Sequence, residues 1–305
     1  MSELHHECGV AAIYSLPGGK PSSICPNRNP LHAARLIPRM LLDMQNRGQL
    51  SAGMSRYHPN PANRQLVDTY RDLGTVQEVF RLSHRGKAEN LLRKYSGPAA
   101  IGHVRYATCG KDDRSSAQPF ENHSFDRRLW FSFGFNGQLA NFAQLSAEIL
   151  AQKNYCMVQG NDTEILLHEF SQHLQNHPGI PLNEAMTEVS RRLDGAYSLT
   201  LLNANGEMLV ARDPLGIKPI VYAVQDSLFA AASESVALLN LGFARSEIQS
   251  LPPGHAIAIA NGEINIQPFA DSARKAHCFF EWVYFANVAS TIDDRSVYLA
   301  RTALG

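Results

Sequence analysis

The chain has no excess of charge of either sign, because 28 Lys and Arg residues balance 28 Asp and Glu residues over 305 positions. Such a balance gives no net field that would attract nucleic acid or an anionic membrane. No apolar run approaches the roughly 20 residues of a membrane helix. The polar residues 1–7 also lack the apolar core of a secretory signal. We therefore expect a cytoplasmic protein with neither nucleic acid nor a membrane as its partner.

Cysteine is scarce, and its spacing excludes the usual cysteine-based frameworks. The five cysteines are Cys8, Cys25, Cys109, Cys156 and Cys278. They are odd in number and show no Cys-x-x-Cys spacing, which argues against a disulfide framework or a zinc site. The Gly-x-x-x-x-Gly-Lys-Ser/Thr loop that cradles phosphate groups is also absent. We predict no metal site in this chain.

The apolar residues form short runs that predict both strands and helices. Strands are predicted at 8–15, 99–104 and 129–135, and helices at 31–46, 141–153 and 163–175. Three hairpins are predicted after residue 195, from the pairs 196–203 with 207–212, 219–224 with 228–233, and 255–260 with 263–267. Pro38 should shorten or kink the first helix, and Gly48 suits a left-handed residue at its exit. This order predicts an α+β fold with two mostly antiparallel sheets between helical layers.

Cys8 is the candidate nucleophile. A thiol with an ordinary pKa of about 8.5 needs a base or a cationic neighbour at neutral pH. Cleavage after Glu7 would free the amine of Cys8, whose intrinsic pKa of about 7.7–8.0 suits a general base. The alternative is a core cysteine in a buried strand. The motifs that follow along the chain favour the nucleophile.

The Asn136-Gly137 pair is the candidate oxyanion hole. Attack on an amide produces a tetrahedral oxyanion, and the loss of one donor to it costs roughly 3–4 kcal/mol in the barrier. We expect the side-chain amide of Asn136 and the backbone N–H of Gly137 to donate from a turn directly after a strand. The alternative is an ordinary Asn-Gly hairpin turn.

Two charged residues suit the charged ends of a free amino acid. Arg105, after the strand at 99–104, can fork onto the α-carboxylate with two hydrogen bonds. Asp162, at a predicted helix start, can pair with the α-ammonium group. The alternatives are a structural ion pair for Arg105 and an ordinary helix N-cap for Asp162. Arg47 and Thr108 are secondary substrate-binding candidates that would order the nucleophile and the carboxylate pocket.

Nine segments together resemble the class II glutamine amidotransferases. They are Glu-Cys-Gly-Val at 7–10, Arg-Gly-Gln at 47–49, Gly-His-Val-Arg-Tyr at 102–106, Ala-Gln-Pro-Phe at 117–120, Asn-Gly at 136–137, Asp-Thr-Glu at 162–164, Asp-Gly-Ala-Tyr-Ser-Leu at 194–199, Ala-Ser-Glu-Ser at 232–235 and Phe-Glu-Trp-Val-Tyr-Phe-Ala at 280–286. The combination is most similar to the glutaminase domain of glutamine phosphoribosylpyrophosphate amidotransferases. The resemblance implies the four-layer αββα sandwich of N-terminal nucleophile hydrolases. It also implies the roles given above for Cys8, Asn136, Gly137, Arg105 and Asp162.

The resemblance also implies a domain plan. Residues 1–7 would be a propeptide, 8–270 the glutaminase domain, and 271–305 a linker and the start of a missing phosphoribosyltransferase domain. Phosphoribosyl pyrophosphate, with Mg²⁺, would bind only in a full-length protein. Some members hold an iron–sulfur cluster through a cysteine near the position of Cys278, but we predict no cluster and no cofactor within this chain. We expect a homo-oligomer.

These observations favour a glutaminase that converts L-glutamine to glutamate and ammonia through a thioester on Cys8. The ammonia would go to phosphoribosyl pyrophosphate and give 5-phosphoribosylamine, the first step of de novo purine synthesis. Two alternatives stay open. One is an amidotransferase with another acceptor, such as a sugar phosphate or aspartate, and the other is a non-catalytic glutamine-binding regulatory module.

Overall fold

Two antiparallel sheets form the centre of the protein. The computed structural model describes residues 8–60, 65–106, 114–152, 157–272 and 274–305. The strands are β1 Cys8–Ser15, β2 Ser51–Tyr57, β3 Val67–Leu73, β4 Ala99–Arg105, β5 Phe120–Asn122, β6 Phe131–Leu139, β7 Gly195–Asn203, β8 Met208–Arg212, β9 Val221–Gln225, β10 Leu228–Ala232, β11 Gln249–Ser250, β12 His255–Ala260, β13 Glu263–Pro268, β14 Thr291–Ile292 and β15 Arg295–Ser296. One sheet has seven strands in the order β11-β9-β10-β1-β4-β2-β3, and the other has six in the order β13-β12-β8-β7-β6-β5.

Helices cover the outer faces of both sheets. The α-helices of the described ranges are α1 Ile37–Asp43, α2 Val76–Val79, α3 Arg85–Lys94, α4 Phe142–Leu150, α5 Asp162–Asn176, α6 Leu182–Ser190, α7 Ser235–Leu241 and α8 Val297–Leu304. Helices α1 and α7 share an apolar cluster with the seven-stranded sheet, and α5 and α6 share another with the six-stranded sheet. A third cluster fills the space between the sheets. These four layers confirm the predicted α+β sandwich.

Strand β1 shows why a short apolar run becomes the central element. All eight of its residues are buried. Val10, Ala12 and Tyr14 belong to the cluster between the sheets, whereas Ala11 and Ile13 belong to the cluster under the helices. Because side chains alternate across a strand, a strand with apolar residues at both parities is covered on both faces.

The predicted helix at 31–46 is wrong as a single element. The segment forms a 3₁₀ helix at Pro30–Leu36, then α1, then a 3₁₀ turn at Gln45–Arg47. Pro38 lies in the first turn of α1, where its missing N–H is tolerated. The chain therefore starts a new helix at the proline.

The prediction of a left-handed Gly48 is also wrong. Its φ is −177° and its ψ is 132°, which is extended backbone. A side chain is excluded for another reason, because a Cβ here would lie 2.5 Å from the carbonyl carbon of Arg105. The glycine allows the segment after α1 to pack directly against the main chain of β4.

The three predicted hairpins are confirmed, and the C-terminal segment packs against the sandwich. Strands β7 and β8, β9 and β10, and β12 and β13 pair as neighbours. Beyond residue 280 the chain forms a π-helical turn at Glu281–Phe285, the β14–β15 hairpin and α8. Buried Glu281 reaches Arg47 of the sandwich, and half-buried Asp293 reaches Arg212. The domain boundaries given above stay predictions. In the described part of the chain, no helix is both long enough and apolar enough to cross a bilayer.

Candidate active site

Cys8 begins β1 and lies directly opposite Arg105 of β4. The antiparallel register pairs these two residues, and directly opposed residues project their side chains from the same face, with Cβ atoms about 5 Å apart. Cys8 shares the parity of Val10, Ala12 and Tyr14, whose side chains lie between the sheets. The Cys8 side chain therefore points between the sheets at one end, where the residue is only 8% exposed.

Asn136 lies on the facing sheet and points into the same space. Its neighbours of equal parity in β6 show the direction, because Ser132 Oγ contacts Ser55 Oγ of the other sheet at 2.6 Å. A Cβ built on Gly134 would likewise lie 3.6 Å from Val10. Alternation then directs Asn136 toward the nucleophile strand.

The side-chain amide of Asn136 is buried, and no described residue forms a hydrogen bond with it. The residue is 0% exposed, and among the described residues neither Nδ2 nor Oδ1 has a hydrogen-bond partner. Leaving a buried polar group unsatisfied costs about 1–3 kcal/mol. A donor held in this way is available for a group that arrives with the substrate.

The expectation of a turn at 136–137 is wrong, because both residues lie inside β6. This strand pairs with β7 along its whole length, from Phe131 opposite Asn203 to Leu139 opposite Gly195. An Asn-Gly pair is a local turn signal, but here the pairing with β7 overrides it. A Cβ on Gly137 would lie 2.3 Å from Ala196 O, so only glycine permits this close approach.

Beyond the short strand β5, no described strand pairs with the other edge of β6, which we call its open edge. Strand β5 pairs only with residues 131–133. Further along, Phe135 N–H donates to Gln118 Oε1 at 2.8 Å, and Leu139 N–H donates to Asp162 Oδ2 at 3.0 Å. Backbone groups of alternate residues point to the same edge. The N–H of Gly137, halfway between Phe135 and Leu139, therefore also points to the open edge.

Asp162 closes this edge from the start of α5. The helix is capped by Asn161, whose Oδ1 accepts from Glu164 N–H at 3.0 Å. The N-cap alternative for Asp162 is thus wrong, and its carboxylate is held against β6 instead. Burial raises the pKa of Asp162 to about 6, although the hydrogen bond from Leu139 N–H acts in the opposite direction.

Arg47 lies apart from the other candidate residues. Its side chain is fully buried, with Nε 2.5 Å from Glu234 Oε1 and Nη2 2.8 Å from Glu281 Oε2. Its Cδ lies 3.5 Å from the position that a Cβ on Gly9 would occupy. Gly9 faces away from the space between the sheets, so Arg47 supports β1 from behind. Thr108 lies outside the described residues.

Two residues near the site were not singled out from the sequence. His103 is fully buried, with Nε2 3.0 Å from Phe135 O, and Gln118 accepts from the N–H of the same residue. Both stand inside segments quoted above, at 102–106 and 117–120. The sequence signal was their place in those segments, but nothing local indicated that both reach the backbone of the same residue of β6.

The described cysteines Cys8, Cys25 and Cys278 form no disulfide. Within the described ranges, no group of three or more His, Cys, Asp and Glu side chains could hold a metal ion. The expectation of no cofactor stays a prediction.

Comparisons with known proteins agree with this geometry. A family model described as a glutamine amidotransferase domain matches residues 103–240. The amidophosphoribosyltransferase of Methanothermobacter thermautotrophicus is 32% identical, with 100% of this chain and 58% of the relative covered. That of Escherichia coli is 34% identical, with 86% of this chain and 51% of the relative covered. The chain thus spans about half the length of the curated relatives it matches.

Solved structures show the same likeness. The glutamine phosphoribosylpyrophosphate amidotransferase from B. subtilis, complexed with ADP and GMP, superposes with a TM-score of 0.78 at 25% identity, over 97% of this chain and 57% of that one. A structure described as the allosteric regulatory enzyme of purine biosynthesis gives a TM-score of 0.80 at 26% identity, over 97% of this chain and 56% of that one.

Proposed function

Because the chain carries a class II glutamine amidotransferase domain, we propose that it hydrolyses L-glutamine to glutamate and ammonia with Cys8 as nucleophile. The observation that carries this proposal is the buried amide of Asn136. It points into the same space between the sheets as Cys8, and no described residue forms a hydrogen bond with it. The N–H of Gly137 faces the open edge beside it. A developing oxyanion would supply the missing partner for both donors.

The reaction proceeds in two halves. Removal of residues 1–7 frees the amine of Cys8, which takes the thiol proton as the sulfur attacks the amide carbon of the glutamine side chain. The S–C bond forms, the C–N bond breaks, and the proton leaves with ammonia. Water then attacks the thioester, the C–S bond breaks, and the sulfur regains a proton as glutamate is released.

Charged residues next to Cys8 and to the open edge of β6 bind the α-carboxylate and α-ammonium groups of glutamine. Arg105 takes the α-carboxylate, because it lies opposite Cys8 and a guanidinium can donate two parallel hydrogen bonds. Asp162 takes the α-ammonium group from the other side of the open edge of β6. Arg47 orders the nucleophile strand from behind, and Thr108 completes the carboxylate pocket.

In a full-length protein the ammonia would pass to phosphoribosyl pyrophosphate and give 5-phosphoribosylamine, the first step of de novo purine synthesis. The names of the relatives support this acceptor over a sugar phosphate or aspartate. Mg²⁺ would serve the phosphoribosyltransferase domain, and no iron–sulfur cluster is proposed at Cys278. We also propose a homo-oligomer in the cytoplasm.

Replacement of the nucleophile tests the glutaminase. In a preparation that begins at Cys8 by intact mass, Cys8→Ala should lower glutamate release at least about 1,000-fold, because no thioester can form. Cys25→Ala is the matched control, since burial raises the pKa of the Cys25 thiol to about 11 and the thiol donates to Asn29 O. Equal glutamate release by the wild type and Cys8→Ala would contradict the proposal and favour a non-catalytic glutamine-binding module.

A further inference from the structure

The open edge of β6 raises a structural problem at the place where the oxyanion hole would form. Phe135 lies just beyond the three residues that β5 covers, and it is only 2% exposed. A buried backbone N–H or C=O without a partner costs about as much as a lost hydrogen bond. Some other group must therefore replace the strand that β5 does not supply.

Two buried side chains take the place of that strand. Gln118 Oε1 accepts from Phe135 N–H at 2.8 Å, and His103 Nε2 lies 3.0 Å from Phe135 O. A carbonyl oxygen can only accept, so the imidazole donates through Nε2–H. Both backbone groups of Phe135 are thus held by side chains that are 5% and 0% exposed.

The two side chains also connect the backbone of Phe135 to the substrate-binding candidates. His103 stands two residues before Arg105 on β4, with its side chain on the same face. Gln118 Nε2 donates to Thr163 Oγ1 at 3.4 Å, next to Asp162 in the first turn of α5. One arrangement therefore ties β6 to the elements that carry Arg105 and Asp162.

The state of His103 suits a fixed hydrogen-bond donor better than a base. Burial lowers its pKa to about 3, and the charge of Arg105 acts in the same direction, while the bond to Phe135 O opposes both. The ring is neutral at every pH at which a thiolate mechanism operates. A group with so low a pKa is too weak a base to take a proton efficiently at neutral pH.

We propose that His103 and Gln118 are positioning residues that fix the two peptides on either side of Phe135 and so preorganise the oxyanion hole. This inference rests on the proposed glutaminase function. The Phe135 carbonyl belongs to the same peptide plane as the N–H of Asn136. His103 holds that plane through the Phe135 carbonyl, and Gln118 holds the preceding plane through the Phe135 N–H. With both planes fixed, the side chain of Asn136 and the N–H of Gly137 keep their directions before the substrate arrives. Preorganised donors avoid reorganisation during the reaction.

Steady-state kinetics of glutamate release test the proposal with two pairs of variants. His103→Leu and Gln118→Leu should each lower kcat about 10- to 100-fold, somewhat less than the loss of an oxyanion donor itself, and leave the KM for glutamine within about twofold. His103→Gln keeps an N–H donor and Gln118→Glu keeps an acceptor oxygen, so each should recover most of the lost kcat. The control His255→Leu removes a ring that contacts Pro253 O at the start of β12, and its kcat should be unchanged. An unchanged kcat in both leucine variants, or no recovery in His103→Gln, would overturn the proposal.

Amide hydrogen exchange separates this inference from the glutaminase proposal. Peptides that cover 135–139 should exchange at least about tenfold faster in His103→Leu than in the wild type, while peptides from β12 should not change. If the wild type begins at Cys8 and releases no glutamate, the proposed function fails, and the exchange rates still decide whether His103 fixes this strand. Unchanged exchange at 135–139 would overturn the positioning role. If His103→Leu does not fold, Gln118→Leu is measured in the same way with the same outcomes.

Discussion

The carboxyl group of Asp162 is buried enough to raise its pKa to about 6, yet its proposed role requires the ionised form. An α-ammonium group beside it would favour ionisation and lower the pKa. Substrate binding therefore favours the ionised form of Asp162, which burial disfavours. A perturbed carboxylate at a strand edge is the kind of residue often found at binding sites.

The affinity for glutamine should fall as Asp162 becomes protonated. In a Cys8→Ala background, which removes the titration of the thiol, the Kd for glutamine should rise about tenfold per pH unit below about pH 6. Asp162→Asn should bind more weakly at pH 7 and lose this pH dependence. Isothermal titration at pH 5, 6 and 7 checks it, and a pH-independent Kd in the parent would contradict the ammonium role.

Asp162→Asn should be more stable than the protein with Asp162 at neutral pH. The folded pKa of Asp162 lies above its unfolded value of about 3.8, so the ionised folded state is disfavoured, and stability is lost as the pH rises from about 4 to about 6. Removal of the charge should raise the free energy of unfolding by on the order of 1–2 kcal/mol at pH 7, because solvent partly screens this half-buried group, and should change nothing at pH 4. Urea unfolding at both pH values measures the difference.

At the scale of the element, glycines set how closely the segments of the site approach each other. Gly48 is extended, so its backbone geometry would allow any residue. Only space is limiting, because a Cβ would lie 2.5–2.7 Å from three main-chain atoms of Arg105. The segment after α1 therefore fixes the position of the residue that faces Cys8.

Gly48→Ala should displace Arg105 and weaken glutamine binding. We expect the KM for glutamine to rise at least about tenfold, since a bidentate contact depends on geometry. Gly86→Ala is the control, because Gly86 lies in α3 and its Cβ position has open space beyond the backbone of its own helix. That change should stabilise the protein by about 0.5–1 kcal/mol and leave KM unchanged. A normal KM in Gly48→Ala would show that the contact relaxes without moving Arg105.

At the scale of the whole molecule, a buried charge cluster joins the C-terminal segment to the sandwich. The cluster consists of Arg47, Lys218, Glu234 and Glu281, with two charges of each sign. Glu281 lies 2.8 Å from Arg47 and 3.1 Å from Lys218. Burial alone would raise the pKa of Glu281, but these two cations lower it overall. The segment at 281–285 thus takes part in the support behind the nucleophile strand.

Glu281→Leu should be strongly destabilising, because it leaves Arg47 and Lys218 buried with one fewer counter-charge. Breaking a buried pair from one side typically costs about 3–5 kcal/mol. The control Glu188→Gln breaks the exposed pair with Arg191 and should cost less than about 0.5 kcal/mol. Urea unfolding of both variants measures the costs, and equal small values would show that the cluster is not stabilising.

The sequence by itself determined the sheet layers and the hairpins, and it supplied the candidates for the site. Runs such as Cys8–Ser15 are apolar at both parities, so burial on two faces follows from the pattern alone. Cys8, Arg105 and Asp162 could be chosen because their chemistry suits glutamine and their order along the chain is distinctive. Turn and strand signals of this kind act over a few residues, so they can be recognised without the fold.

Only the tertiary structure decided how those residues meet. Asn136-Gly137 became part of a strand because β7 pairs along the whole of β6. Arg47 was directed behind β1 by Glu234 and Glu281, which lie more than 180 positions away. His103 and Gln118 converge on the backbone of Phe135 because β5 ends early. Such contacts join distant parts of the chain, and their energy comes from burial that no local sequence window contains.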